Sequence, residues 1–279
     1  MKKTLPKSAS VDDCATRWQN IVEVAGVELP KQSPDTRLSE SGSQPDQTPE
    51  NSSGVDRPLP LWKRMIDLSL VLIGAPLWLP LFGFVALWVK FVSGGKLFFL
   101  QERVGHRGEH FVIHKFRSMN EGVETWSHES RLKELIKSDQ PMTKLDSVGD
   151  PRLLPGARFL RAAGLDELPQ ILNVIRGEMS LVGPRPCTPS ELNGYQCWQK
   201  RRFDVLPGIT GAWQVNGKNR TTFSEMINMD ISYAETMCPM RDLKILAQTV
   251  PAILKQVVES VAKSRGLRNG GALVSEECI

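Results

Sequence analysis

Two adjacent carboxylates, Asp166 and Glu167, stand where an apolar periodic stretch begins, in LDELPQILNVIRGEM. Side by side they could hold Mg2+, and one of them could attack an electrophilic phosphorus, as carboxylates do in aspartyl-phosphate chemistry. Plain capping accounts for the pair as well, because acidic residues favour the first turn of a helix. Basic residues gather in short turn-like contexts: Glu102-Arg103, Lys115-Phe116-Arg117, Asp150-Pro151-Arg152, Arg158, Arg161 and Pro184-Arg185-Pro186. Arginine suits bidentate phosphate recognition, and an arginine between two prolines sits on a stiff backbone that lowers the entropy cost of aiming it. Taken singly, each is also an ordinary solvated charge. The four histidines, His106, His110, His114 and His128, fall within 23 residues. The alternation of FVIHKF and the glycines at 105 and 108 argue against a shared helical face, so no metal site is expected there.

These groups need elements to aim them. Leu168, Ile171, Leu172 and Ile175 recur at i, i+3, i+4 and i+7, which predicts an amphipathic helix that begins at the carboxylate pair, carries Pro169 in its first turn and ends near Gly177. SLVGPRP reads as a short strand running into a rigid turn. KLFFLQERVG and HFVIHKFRSM alternate like two strands joined at Gly105-His106-Arg107-Gly108. Residues 121–138 read as an exposed helix and loop. Residues 240–260 place Leu243, Leu246, Ala247, Val250, Leu254 and Val257 on one face, with Pro251 as a kink; a membrane surface and packing on the domain are both open to such a helix.

Ahead of them lies the strongest physical signal. Residues 68–89 are 22 positions without a charge, and a helix of that length rises ~33 Å against a hydrocarbon core of ~30 Å. Pro76 and Pro80 predict a sharp bend within it. Basic residues flank both ends, Arg57, Lys63 and Arg64 before it and Lys90, Lys96, Arg103 and Arg107 after it. Lys/Arg-rich flanks stay in the cytoplasm, so a bent helix that enters and leaves by one leaflet satisfies both ends, with a kinked span or a buried core helix as the alternatives.

The whole chain of 279 residues is 41% hydrophobic and 24% charged, which excludes a wholly disordered or collagen-like protein. A net charge of +4 is too mild to point to nucleic acid. Residues 1–58 carry 7 basic against 9 acidic side chains and the remainder 28 against 22, so the basic excess belongs to the folded part, where it suits phosphate or anionic lipid as well as plain solubility. Residues 31–58 hold hardly an apolar side chain and read as a disordered linker. No two of the five cysteines have C-x-x-C spacing, which argues against a zinc knuckle.

Read in order, KRMIDLSLVLIGAPLWLP, FFLQERVG, FVIHKFRSM, DPRLLPGARFLRAAGLDELPQILNVIRGEMSLVGPRP and LPGITGAWQVNG resemble the bacterial sugar transferases, the monotopic polyprenyl-phosphate phosphoglycosyl transferases, over about residues 61–250. The resemblance implies transfer of a sugar-1-phosphate from a UDP-sugar to membrane polyprenyl (undecaprenyl) phosphate with release of UMP, the first step in a lipid-linked exopolysaccharide, capsule or O-antigen. It implies Asp166 as nucleophile, a covalent phosphosugar intermediate and ping-pong kinetics, with Glu167 helping to bind Mg2+ or handle protons. Pro184, Arg185 and Pro186 match the motif tied to the uridine end of the donor, and Arg103, Lys115, Arg117, Arg152 and Arg158 are phosphate candidates. The implied fold is α+β and membrane-associated: a re-entrant helix broken at Ala75-Pro76, then a mainly helical cytosolic domain with a few short strands and amphipathic interfacial helices. Its boundaries fall at 1–58 for a disordered lead, 59–95 for the membrane helix, 96–260 for the catalytic domain and 261–279 for a flexible tail. The expected setting is the cytoplasmic face of a bacterial inner membrane, with donor, lipid acceptor and membrane lipid as partners, no nucleic acid, and room for a homodimer. Two departures stand out: Gly164 fills a position commonly Ser or Thr, and residues 1–58 stand where larger members carry four more transmembrane helices. A membrane-anchored scaffold with a dead site is the competing class, and the intact LDELPQ and GPRP argue against it.

Overall fold

A computed structural model describes residues 59–119, 153–217 and 221–273, with side chains to 262. The chain divides into two units, Met1–Pro60 and Leu61–Ile279, and every described element belongs to the second. The lead expected at 1–58, the helix expected at 121–138 and Arg152 lie outside the described residues.

The uncharged run forms the middle of α1, Leu61–Ser93, a helix of 33 residues and so ~50 Å long. Pro76 and Pro80 lie inside α1 without ending it, so the break expected at Ala75-Pro76 is not an interruption of the helix. Each proline removes one backbone donor. Beside the first, the Trp78 indole donates from Nε1 to the Val71 carbonyl at 2.9 Å, so a side chain serves a carbonyl next to the weakened turn. One face of α1 buries Lys63, Asp67, Val71, Val85 and Val89, with Trp78 and Phe82 packed between them. On the other face Leu72, Ile73, Leu77, Phe84 and Phe91 are each more than two-thirds exposed. A row of bare apolar side chains this long marks a helix made for an apolar medium.

Both ends of α1 pack on one body. In the first turns Lys63, only 2% exposed, donates to the Val182 carbonyl at 2.7 Å and the Tyr233 hydroxyl at 3.0 Å, and pairs with Asp242. Tyr233 in turn donates to Asp242 Oδ1 at 2.6 Å, and Asp67 Oδ1 accepts from the Leu181 amide. Arg64 donates to the Val174 and Ile175 carbonyls. Lys63 and Arg64, which the sequence shows as basic flanks, are therefore fasteners. At the far end Val85 and Val89 share a core cluster with Phe116 and Leu160, and the Trp88 ring lies so close to Gly156 that a Cβ there would come within 2.7 Å of it.

The alternating segments form β1, Phe98–Val104, and β2, His110–Phe116. They pair antiparallel in the register Phe99↔Lys115, Gln101↔Ile113, Arg103↔Phe111, which puts Gln101, Arg103 and Lys115 on one face. After α2, Ala157–Ala162, a 3-10 segment Leu165–Gln170 leads into α3, Ile171–Arg176. Strand β3, Ser180–Val182, then runs parallel to β4, Gly208–Thr210. At their ends Gly183 and Gly208 touch backbone to backbone, where a Cβ on Gly208 would fall 2.0 Å from the Gly183 nitrogen. Helix α4, Pro189–Leu192, and the 3-10 helix Cys197–Asp204 fill the crossover, and α5, Ala212–Val215, α6, Phe223–Thr236, and α7, Pro239–Leu273, complete the chain. The fold is the mixed, mostly helical one expected, although α7 runs well past residue 260. Of the two placements open to it, much of the apolar face lies outward: Asp242 and Ile245 are buried, whereas Leu243, Val250, Leu254, Val258 and Val261 are exposed.

Candidate active site

The carboxylate pair does not open an α-helix. Asp166 and Glu167 sit in the 3-10 segment, with Pro169 inside it and α3 beginning only at Ile171. Gly164 ahead of them holds φ 68 and ψ 12, a left-handed conformation that glycine adopts freely and other residues resist. The turn buries Asp166 to 8% exposure and leaves Glu167 half-buried, where its Oε1 accepts from Lys115 Nζ at 3.0 Å. What seats this segment is Asn173, fully buried in α3. Its amide donates to the Val112 carbonyl at 2.7 Å and to Glu178 at 2.6 Å, and its oxygen accepts from the His114 amide at 3.2 Å. One asparagine thereby locks α3 to the edge of β2.

The second half of the site is Gly183-Pro184-Arg185-Pro186-Cys187. Two of its residues are prolines with no amide to offer, and each carbonyl from Pro184 to Cys187 has a donor. Gly208 N donates to Pro184 O at 2.8 Å and Val104 N to Cys187 O at 2.8 Å. Between them Arg202 Nη2 donates to Arg185 O at 2.7 Å, and Arg103 Nη1 donates to Pro186 O at 3.1 Å. The Arg185 side chain, in contrast, makes no hydrogen bond or ion pair among the described residues. It borders a shallow surface crevice lined also by Val104, Gly105, Pro184 and Phe203.

The one-sided face of the β1–β2 hairpin connects the two halves, Lys115 reaching the carboxylate pair and Arg103 the proline turn. Arg103 is 7% exposed, with Gln101 Oε1 at 2.7 Å and Glu191 at 3.8 Å. Burial, and next the Arg185 charge, lower its pKa from the ordinary arginine value. Arg117 is also buried, its Nε donating to the Met119 carbonyl at 3.0 Å beside Gly95. Arg158 is half-buried on α2, which packs against the 3-10 segment. Among the described histidines no cluster forms: His110 pairs with Glu102 and His114 with Asn173, while His128 lies outside the described residues. Asn173, Arg202, Tyr195 and Asp230 had no mark in the sequence, since an asparagine amid LNVI and an arginine in QKRRF look like surface.

A carboxylate pair, a lysine and several arginines thus gather beside an apolar helix, a set of side chains suited to binding phosphate. The model of the bacterial sugar transferase family matches residues 59–256, and the chain belongs to that family. It is 37% identical over 216 residues to the exopolysaccharide production protein ExoY of Rhizobium meliloti (strain 1021), covering 76% of this chain and 94% of that one. It is 37% identical over 202 residues to the UDP-glucose:undecaprenyl-phosphate glucose-1-phosphate transferase of Caulobacter vibrioides, covering 70% of each. Against the undecaprenyl-phosphate galactose phosphotransferase of Salmonella typhimurium it is 34% identical over 205 residues, 70% of this chain but 40% of the longer relative.

Proposed function

We propose that the protein transfers a hexose-1-phosphate from a UDP-sugar to undecaprenyl phosphate, the opening step of a lipid-linked exopolysaccharide or capsule. The observation that carries this reading is one hairpin face that joins a buried Asp166, flanked by the Lys115–Glu167 pair, to a clamped proline turn with an uncommitted arginine. An Asp166 carboxylate oxygen attacks the sugar-bearing phosphorus, the bond to the bridging oxygen breaks, and UMP leaves with the electron pair. A phosphate oxygen of the lipid then attacks the same phosphorus, the aspartyl oxygen–phosphorus bond breaks and the carboxylate is restored. Lys115 and Arg185 offset the charge on the two ends of the diphosphate, in the manner of phosphoryl transfer by positioning and neutralisation.

Mg2+ fits this site in a limited way. Among the described residues no group of three or more metal-ligating side chains comes together, whereas Mg2+ commonly takes one or two carboxylates and completes its shell with substrate phosphates and water. Asp166 and Glu167 would hold it with the donor present, and it would supply charge neutralisation on the diphosphate.

The same reading makes α1 re-entrant. Its two ends fasten to one body and its prolines lie mid-helix, so both ends sit on one side of the bilayer while the bare face enters one leaflet, on the cytoplasmic side where nucleotide sugars are made. The outward stripe of α7, bordered by Lys244 and Lys255, lies against the headgroups as an interfacial helix.

The test is UMP release by detergent-solubilised protein with Mg2+ and undecaprenyl phosphate across UDP-glucose, UDP-galactose and their N-acetyl forms. Release from one or two donors, reduced at least about a thousandfold in a folded Asp166→Asn variant, is the expected result. Silence across the panel from folded wild type turns the reading to a non-catalytic scaffold.

A further inference from the structure

Arg202 is the most deeply enclosed cation among the described residues that touch the proline turn. Its side chain is 1% exposed and bonds three ways: Nη1 to the Tyr195 hydroxyl at 2.7 Å, Nη2 to Asp230 Oδ2 at 2.6 Å, and Nη2 to the Arg185 carbonyl at 2.7 Å. The guanidinium lies 5.7 Å from the centroids of both the Tyr195 and Phe203 rings. Its Nε, like that of Arg103, is buried with no hydrogen-bond partner. A buried ion pair with an orphaned donor is poor evidence for a stability device, since well-packed apolar residues often do as well. Its position suggests another use.

We propose that Arg202 and Arg103, each acting from within the protein, form a two-sided clamp on consecutive carbonyls that presets Arg185 for the nucleotide end of the donor. Arg202, held in place by Tyr195 and Asp230, is the principal positioning residue; Arg103 is a positioning residue as well and not a phosphate ligand. The inference rests on the reaction proposed above. With the carbonyls of Pro184, Arg185, Pro186 and Cys187 all bonded and two of the four amides absent, rotation about this backbone is arrested. The Arg185 guanidinium then loses only side-chain freedom when a diphosphate arrives, and a smaller entropy loss means tighter binding. Release of either clamp frees the turn without removing any group that contacts the donor.

The clamp makes a prediction that general damage does not share. In a ping-pong reaction kcat/KM for the donor reports the first half-reaction and kcat/KM for the lipid the second. Arg202→Lys, Asp230→Asn, Tyr195→Phe and Arg103→Lys would be prepared as full chains in detergent, with melting temperature recorded for each. Kinetics in both substrates and calorimetric titration with UMP would follow. Folded variants at Arg202 and Asp230 are expected to lose about tenfold or more in kcat/KM for the UDP-sugar and in UMP affinity, the size expected of a lost hydrogen bond to a charged group. Their kcat/KM for undecaprenyl phosphate stays within about twofold of wild type. Tyr195→Phe removes a single hydroxyl, keeps the ring, and carries the test if the charged variants fail to fold. Unchanged donor kinetics in folded variants, or equal loss in both half-reactions, overturns the clamp. Wild type that binds UMP but turns nothing over refutes the reaction instead, and the titration still tests the clamp; wild type that binds no UMP refutes both.

Discussion

Asp166 could be picked out of the sequence through the motifs around it, since an acidic pair before an apolar run is by itself ordinary helix capping. Its surroundings could not, because they depend on residues far away in the chain. The Lys115–Glu167 bond spans 52 positions and the Asn173–Val112 bond 61. The expectation of an α-helix at the pair came from a periodicity that four apolar residues cannot settle. Over a single turn 3-10 and α spacing differ by only about 0.6 residue, and Pro169 takes away an amide that would tell them apart. Gly164 illustrates the same gap. Read as a missing hydroxyl, it is in the structure a left-handed position with open space around it. Gly164→Ala should therefore destabilise by about 1 kcal/mol through backbone strain alone, seen as a melting temperature about 2–4 °C lower. An unchanged melting temperature would mean the turn does not hold φ 68.

At the scale of elements the hairpin was fully legible, since strict alternation bounded by glycines has one simple solution, and α1 was legible in length but not in attachment. Lys63 and Arg64 look like flanking charges because sequence carries no sign of a tyrosine and an aspartate 170 and 179 positions away. The stripe of α7 was recognised as a face, yet which face turns inward depends on the buried Asp242 that follows Lys63 into the core. Removing one partner of a buried pair strands the other, so Lys63→Met is expected to cost 3–5 kcal/mol by the usual range for such pairs, roughly a loss of the fold in detergent. The double variant Lys63→Met/Asp242→Leu should recover most of it. Thermal unfolding of the single and double variants checks this: a double variant no better than the singles would show that the pair is not the fastener.

For the molecule as a whole, the question is which way a 33-residue helix leaves the membrane. A span would carry its last turn to the opposite side, but Val85, Val89 and Trp88 meet the same body that Lys63 and Asp67 meet. On the proposed re-entrant reading, in a cysteine-free background, Leu61→Cys and Ser93→Cys, both outside the buried seam, should label with an impermeant maleimide only after the inner membrane is opened to the cytoplasmic side. Labelling of one of the two from the periplasm would establish a span.

The bond between Lys63 and Asp242 also sets an order of events during synthesis. The lysine leaves the ribosome 179 residues before its partner, which at 5–20 residues per second is roughly 10–40 s. Throughout that interval α1 is already made, while its ammonium group lacks the Asp242 partner and has only the Asp67 carboxylate, one turn on, near it. The contact that fastens the start of α1 can therefore close only when the last helix emerges. A chain cut short before residue 242 would leave that lysine without the carboxylate that fastens it.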